Sequence, residues 1–119
     1  MAIVVEDGTG TNPLANSYVT ELELTTYATD RGITVTGTPA HLLLNSMDTI
    51  ETRSYQGAKT SSTQPLSWPR TGVIANGISI GVNEIPADLK TAQIVTALSI
   101  DAGVDPMGVS NPAIKKKKV

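Results

Sequence analysis

The fold is decided by residues 86–103, which read PADLKTAQIVTALSIDAG. Proline suits the first turn of a helix and Gly103 suits a left-handed C-terminal cap, so we predict a helix that opens at Pro86 and runs to about Ala102. Its apolar side chains cover most of the circumference: Leu89, Ala92, Ile94, Val95, Ala97, Leu98 and Ile100. A helix of this kind is buried on more than one side. It is therefore either the centre of the domain or shared with a neighbouring subunit.

A first helix is signalled upstream by Thr20 and Glu23, which are spaced as a capping box with Thr20 at the N-cap. We predict that this helix spans residues 21–31. Gly32 then provides a residue that can adopt the left-handed conformation of a helix end.

A second helix is signalled by Thr38, a good N-cap residue, and by Pro39, which suits the first helical position. Leu43, Met47, Ile50 and Ser54 recur at helical spacing and form one stripe. The first plausible end of this helix is Gly57.

The remaining segments are predicted to be short and extended. Residues 2–5 are rich in Ile and Val and indicate a short strand, which ends at the turn-forming residues 7–10. Asn76 and Gly77 stand between apolar β-branched residues, a strong signal for a small hairpin within residues 73–82.

These segments together predict a mainly α fold. It is a small helical bundle of about three helices, with a short N-terminal strand, a β-hairpin-like loop and an extended C-terminal tail. The helical domain should span residues 1–103. Glycine and proline recur beyond it, so residues 104–119 are expected to form an extended linker and a basic tail.

The composition predicts a thin core. Only 3% of the 119 residues are aromatic, so burial must come from aliphatic side chains or from neighbouring subunits. The chain has no cysteine, which excludes a disulfide framework and a thiolate metal site. No apolar run approaches the ~20 residues that span a bilayer, and residues 1–7 lack the features of a secretory signal. We expect a protein made in a cytoplasm that does not bind a membrane.

Candidate catalytic residues are few. His41 is the single histidine, and no nucleophile or orienting group is evident beside it. Residues 7–10 (DGTG) lack the glycine spacing and the following Lys-Ser/Thr pair of a phosphate-binding loop. We therefore predict no enzyme activity, no cofactor and no metal.

Charge is unevenly distributed along the chain. The formal net charge is −2, but four of the nine basic residues are Lys115, Lys116, Lys117 and Lys118. The chain before them has five basic residues against 11 acidic ones, which is −6. An acidic body with a basic end does not suit a protein that wraps nucleic acid over its whole surface.

Several motifs in the chain resemble those of a family of small phage proteins. The matching stretches are residues 1–10 (MAIVVEDGTG), 15–19 (ANSYV), 27–32 (YATDRG), 66–73 (LSWPRTGV) and 84–92 (EIPADLKTA). They keep their order over roughly residues 1–100, and the N-terminal stretch and the Trp-Pro-Arg-Thr-Gly block are the most specific. The family is often labelled DnaT-like single-stranded-DNA-binding protein, and its members look like head–tail adaptor or head-completion proteins.

The resemblance implies a structural role in the virion. The expected protein is a head–tail connector that forms a homo-oligomeric ring, typically a dodecamer, at the head–tail junction. One face would dock on the phage portal protein and the other would receive a tail or nozzle protein, while genomic DNA passes through the channel. The alternative is a single-stranded-DNA-binding replication accessory protein, as the family label says.

Trp68 and Arg70 are the candidate partner-binding residues in the body of the domain. Trp and Arg are enriched at interface hot spots, so Trp68 would anchor a contact and Arg70 would pair with a neighbour's carboxylate. The competing interpretation, which we favour for Trp68, is that its ring fills the core against Tyr55.

The run Lys115, Lys116, Lys117 and Lys118 is the other candidate partner-binding element. It would dock on an acidic surface of the portal, or it would be a solvated tail. Direct contact with DNA phosphates ranks third, because no aromatic residues interleave with the lysines to stack on bases.

Overall fold

The computed structural model describes residues 3–103. Within this range the elements are α1 (Glu21–Asp30), α2 (Pro39–Ile50), β1 (Ala58–Lys59), β2 (Arg70–Thr71), β3 (Ile74–Ala75), β4 (Ile78–Ser79) and α3 (Ala87–Asp101). The strands form two separate antiparallel pairs, β1 with β2 and β3 with β4. The predicted mainly α fold of three helices with a hairpin is confirmed. The predicted tail, residues 104–119, lies outside the described residues.

The predicted start of α1 is confirmed in detail. The Thr20 hydroxyl accepts a hydrogen bond from the Glu23 amide at 3.0 Å, and the Glu23 carboxylate accepts one from the Thr20 amide at 2.8 Å. This reciprocal pair is a capping box, which satisfies donors that the helix leaves free. The helix ends at Asp30, one residue before the predicted end, and Gly32 follows with a φ of 69°.

The predicted end of α2 is wrong. The helix begins at Pro39 as expected, but it ends at Ile50 rather than near Gly57. Tertiary contacts divert the chain there, since the Glu51 carboxylate accepts a hydrogen bond from the Ser67 amide at 2.8 Å. The Tyr55 hydroxyl also donates to the Ile50 carbonyl at 2.8 Å, which satisfies a carbonyl at the helix end.

The longest helix, α3, packs against both other helices. Pro86 is its N-cap rather than its first residue, so the helix begins one residue later than predicted. Leu89, Ile94 and Ala97 are buried, whereas Val95 is 45% exposed. The helix therefore lies at the centre of the domain, which is the first of the two predicted alternatives. One of its sides is nevertheless exposed to solvent.

The predicted N-terminal strand is reduced to a single parallel bridge between Val5 and Ser17. Two backbone hydrogen bonds flank it, from the Asn16 amide to Val4 and from the Glu6 amide to Ser17. The segment bends directly afterwards, where the buried Glu6 carboxylate accepts hydrogen bonds from the amides of Gly8 and Gly10. The pairing therefore stops before a strand can form.

The predicted hairpin is confirmed as β3 and β4. Asn76 and Gly77 both have positive φ angles, 54° and 78°, as a two-residue type I′ turn requires. The hairpin presents Ile74 and Ile78 to the outside, with 58% and 67% of their surfaces exposed.

The core consists of two clusters that meet at α2 and α3. The first contains the buried residues Ala15, Tyr18, Met47, Ile50, Leu66, Trp68, Val73 and Leu89. The second contains Val19, Leu24, Leu42, Leu43, Ile94 and Ala97. Among the residues described, no helix has the length and apolar character to cross a membrane.

Candidate functional site

A groove of about 630 Å³ opens between the β3–β4 hairpin and the first two-thirds of α3, and we call it the hairpin groove. Its apolar lining includes Ile50, Tyr55, Trp68, Val73, Ile78, Ile80, Leu89 and Ala92. Its charged lining residues are Arg53, Glu84 and Asp88. An apolar cleft with a few charged groups at its edge is the usual form of a binding site.

Two local features of the sequence build the walls of this groove. The tight turn at Asn76 and Gly77 places Ile78 on the hairpin wall. On the opposite wall, Asp88 and Ala92 are four residues apart and therefore lie on the same face of α3. Ile78 and Ala92 are both exposed, so the walls of the groove are open to a partner.

Trp68 lies beneath the groove and belongs to the core. Trp68 is 5% exposed, and its ring meets the Tyr55 ring edge-on, with the centroids 5.5 Å apart. The predicted core packing of Trp68 against Tyr55 is thus confirmed. Because Trp68 also lines the groove, its role in binding a partner stays a prediction.

Arg70 is engaged by the backbone of its own chain. Its guanidinium donates to the carbonyls of Gln56 at 2.7 Å, Gly57 at 3.0 Å and Ser67 at 3.1 Å, and at 3.3 Å to that of Tyr55. Four of its five N–H groups are used in this way. Arg70 therefore stabilises the segments below the groove, and its pairing with a neighbour's carboxylate stays a prediction.

A buried polar network that the sequence did not reveal holds the Trp68 segment in place. The Tyr18 hydroxyl donates to the Glu51 carboxylate at 2.6 Å and accepts from the Trp68 amide at 3.2 Å. Burial, together with the adjacent Glu51 carboxylate, raises the pKa of Tyr18. The phenol therefore stays protonated, and it fixes the backbone beneath the groove.

Gln93 is a second buried residue that sequence reasoning missed. Its carbonyl oxygen accepts from the Tyr18 amide at 2.9 Å, and its amide donates to the Ser17 hydroxyl at 2.9 Å and the Leu43 carbonyl at 3.3 Å. It thereby ties α3 to α2 and to the N-terminal segment. A polar residue among apolar helical positions was the available signal.

The net charge of the described residues does not favour the binding of nucleic acid. Ten of the 11 acidic residues but only five of the nine basic ones lie within residues 3–103, a net charge of −5. Arg31 stacks on the Tyr27 ring at 3.6 Å from its centroid, while Tyr18 and Trp68 are buried. Exposed aromatic platforms and free cations are what single-stranded nucleic acid requires.

The remaining candidates give no site within the described residues. His41 is exposed on α2, and residues 3–103 contain no group of acidic or histidine side chains that could hold a metal ion. Lys115, Lys116, Lys117 and Lys118 lie outside the described residues, so their predicted role in binding a partner stays a prediction.

Comparison with known protein families gives a match over the whole chain. The profile of a family described as "Putative DnaT-like ssDNA binding protein" matches residues 1–119. No curated protein and no solved structure matches the chain. The description of the family names the alternative function, single-stranded-DNA binding, and does not mention a connector.

Proposed function

The chain belongs to the DnaT-like family, and from the hairpin groove together with the acidic charge of residues 3–103 we propose that it is a head–tail connector of a tailed phage. In this proposal it forms a ring under the portal, joins the capsid to the tail and lets DNA pass. It acts at the head–tail junction of the virion, after synthesis in the host cytoplasm. It binds proteins and catalyses no reaction.

The hairpin groove is the observation that carries the proposal. Contiguous exposed apolar surface marks sites of protein–protein contact, and here it combines the groove with the exposed Ile74 and Ile78 of the hairpin. An apolar surface offers no favourable contacts to a charged phosphate backbone, whereas it binds the apolar side chains of another protein.

The negative charge of the described residues is a second observation that supports the same function. The described residues carry −5, and a negatively charged wall repels DNA phosphates at short range. A conduit has to let DNA slide without retaining it, so weak or repulsive walls suit a connector. A protein whose task is to hold single strands needs the opposite charge.

The test is the solution mass of the purified chain, measured alone and with purified portal protein. We expect assembly into a ring, or recruitment into a complex with the portal. Ile78→Glu places a charge on the groove wall and should weaken this association. Leu22→Glu is the matched control, because Leu22 is 73% exposed on α1 and does not line the groove. A chain that stays monomeric and ignores the portal would refute the proposal.

Single-stranded-DNA binding is the second candidate, and the description of the family favours it. The lysine run Lys115–Lys118 would supply up to four phosphate contacts. Binding by four lysines predicts a slope of log K against log salt of about −3 for single strands.

Fluorescence anisotropy with a labelled oligo-dT separates these two candidates. A connector should bind the oligonucleotide weakly, with a shallow dependence on salt. Tight binding that weakens steeply with salt, combined with a monomeric chain, would establish the second candidate instead.

A further inference from the structure

We propose that the hairpin groove of each copy receives residues 104–119 of the neighbouring copy. This inference rests on the proposed ring and names the occupant of its apolar groove. The segment follows α3 directly and reads VDPMGVSNPAIKKKKV.

The chemistry of the segment matches that of the groove. Met107, Val109 and Ile114 are apolar side chains for an apolar lining, and they precede the lysine run Lys115–Lys118. At the groove, Glu84 and Asp88 supply two carboxylates beside the apolar walls, against one cation, that of Arg53. An apolar anchor followed by cations therefore faces an apolar cleft with acids at its edge, which is the complementarity that gives an interface its specificity.

The net charge of each copy gives the segment a role in assembly. Residues 3–103 carry −5 and the whole chain carries −2, so the rest of the chain contributes +3. Acidic bodies placed side by side repel each other. A neighbour's segment that brings lysines to the groove offsets this repulsion where the copies meet.

The direction of α3 favours a neighbour over the segment's own groove. Asp88, Ala92 and Thr96 line the groove, so it lies along the first two-thirds of α3, whereas the chain leaves the helix at its other end. To enter its own groove the segment would have to reverse and run back ~20 Å along the helix. Extended, sixteen residues reach about 50 Å, which spans either path, but only the path to a neighbour avoids a reversal of the chain at the end of α3.

A ring allows every copy to make this contact at both its groove and its segment. A groove on one surface and a projecting segment on another form a heterologous contact, which either closes into a ring or continues as a filament. In a closed ring every groove is filled and every segment is docked.

The experiment uses the absence of cysteine from the chain. Ala92→Cys marks the exposed wall of the groove and Ile114→Cys marks the segment, in two separately tagged full-length chains. Mixed under mild oxidation, the two chains should form a mixed disulfide. Thr26→Cys is the control, since Thr26 is exposed on α1 away from the groove; paired with the Ile114→Cys chain it should give a severalfold lower yield.

Charge neutralisation tests the same contact independently. Replacing Glu84 and Asp88 together by Gln and Asn in the Ala92→Cys chain should lower the yield of mixed disulfide severalfold. A disulfide that forms only within the double variant, Ala92→Cys with Ile114→Cys in one chain, would show that each segment fills its own groove and would overturn the inference.

The outcomes also separate this inference from the proposed function. Chains that assemble, or that bind portal protein, without the mixed disulfide would refute the docking of residues 104–119 and leave the connector proposal standing. Chains that remain monomeric in every condition, with and without portal protein, would refute both.

Discussion

Gln93 shows at the scale of one residue how the thin core is held together. It is fully buried in α3, and its side chain bonds to the backbone of Tyr18 and Leu43 and to the hydroxyl of Ser17. Such a residue is costly to bury alone but specific when all its groups are paired. It fixes the position of α3, and with it one wall of the hairpin groove.

Gln93→Ala should lower the free energy of unfolding by about 3 kcal/mol, because it leaves the buried Tyr18 amide without a partner and removes the bonds to Ser17 and Leu43. Urea denaturation followed by circular dichroism measures the effect as a shift of the midpoint. Thr91→Ala is the matched control on the exposed side of the same helix and should stay within about 0.5 kcal/mol of the natural chain. Equal midpoints for the two variants would show that water replaces the amide.

Tyr18 couples stability to pH in the alkaline range. Burial, the hydrogen bond to Glu51 and the charge of Glu51 raise the pKa of Tyr18 above its ordinary value of 10.0. The folded chain therefore holds this proton more tightly than the unfolded chain does. Its contribution to stability is complete below pH 10 and is lost as the pH rises beyond that value.

The free energy of unfolding should accordingly fall as the pH is raised above the ordinary tyrosine value of 10.0, and Tyr18→Phe should flatten that decline. Burial also raises the pKa of Tyr55, which is less buried, so Tyr55→Phe should flatten it less. Urea midpoints measured in steps of pH test both statements. A decline that is unchanged in Tyr18→Phe would contradict the assignment.

At the scale of elements, the short β1–β2 pair depends on the close approach of the backbone at Gly57 to the backbone at Thr71. Gly57 has a φ of 72°, and a Cβ there would overlap the carbonyl oxygen of Thr71. Gly57→Ala should therefore cost more than about 3 kcal/mol, as strain combined with a backbone clash does. Gly77 has a similar φ of 78° but no atom within 4 Å of its added Cβ, so Gly77→Ala should cost only about 1 kcal/mol.

Thermal unfolding of the two glycine variants separates conformational strain from steric overlap. Gly77→Ala measures strain alone in the hairpin turn, whereas Gly57→Ala adds the clash with the Thr71 carbonyl. If both variants lost the same small amount, the close approach of the two strands would be wrong.

The elements that the sequence predicted well are those with local causes. The capping box at Thr20 and Glu23 and the hairpin turn at Asn76 and Gly77 involve residues within a few positions of each other, so their patterns are visible in the sequence. The end of α2 was misplaced because Glu51 bonds to Ser67, sixteen residues away. A single sequence carries no pattern for contacts at that separation.

The candidate site was predicted in part for the same reason. Packing of Trp68 against Tyr55 followed from the need to bury a large ring near another apolar one. The groove itself was not predicted, because the hairpin and α3 meet only in the folded chain. The residues that brace it, Tyr18 and Gln93, bond to partners between 33 and 76 positions away.

At the scale of the whole molecule, the folded body is acidic and has an apolar groove on its surface. Its two core clusters are small, as the low aromatic content predicts. Additional burial between copies would stabilise such a body by mass action. Assembly then depends on a balance between repulsion among the acidic bodies and attraction through the groove.

The sign of the salt dependence of assembly reveals which force dominates that balance. If apolar burial alone joined the copies, screening the −5 of each body would strengthen assembly. If the lysines of a neighbour's segment carry the contact, raising the salt concentration from about 0.05 M to about 0.5 M should weaken it. Screening of ion pairs increases strongly over this range of salt.

We therefore expect sedimentation velocity to show smaller assemblies of the natural chain at the higher salt concentration. In a variant with all four lysines of Lys115–Lys118 replaced by glutamine, attraction is lost while repulsion remains. Its weaker assembly should then grow stronger with salt, which reverses the sign. Assembly of the natural chain that strengthens with salt would instead mean that the copies meet through apolar surface alone, with no part played by the lysines.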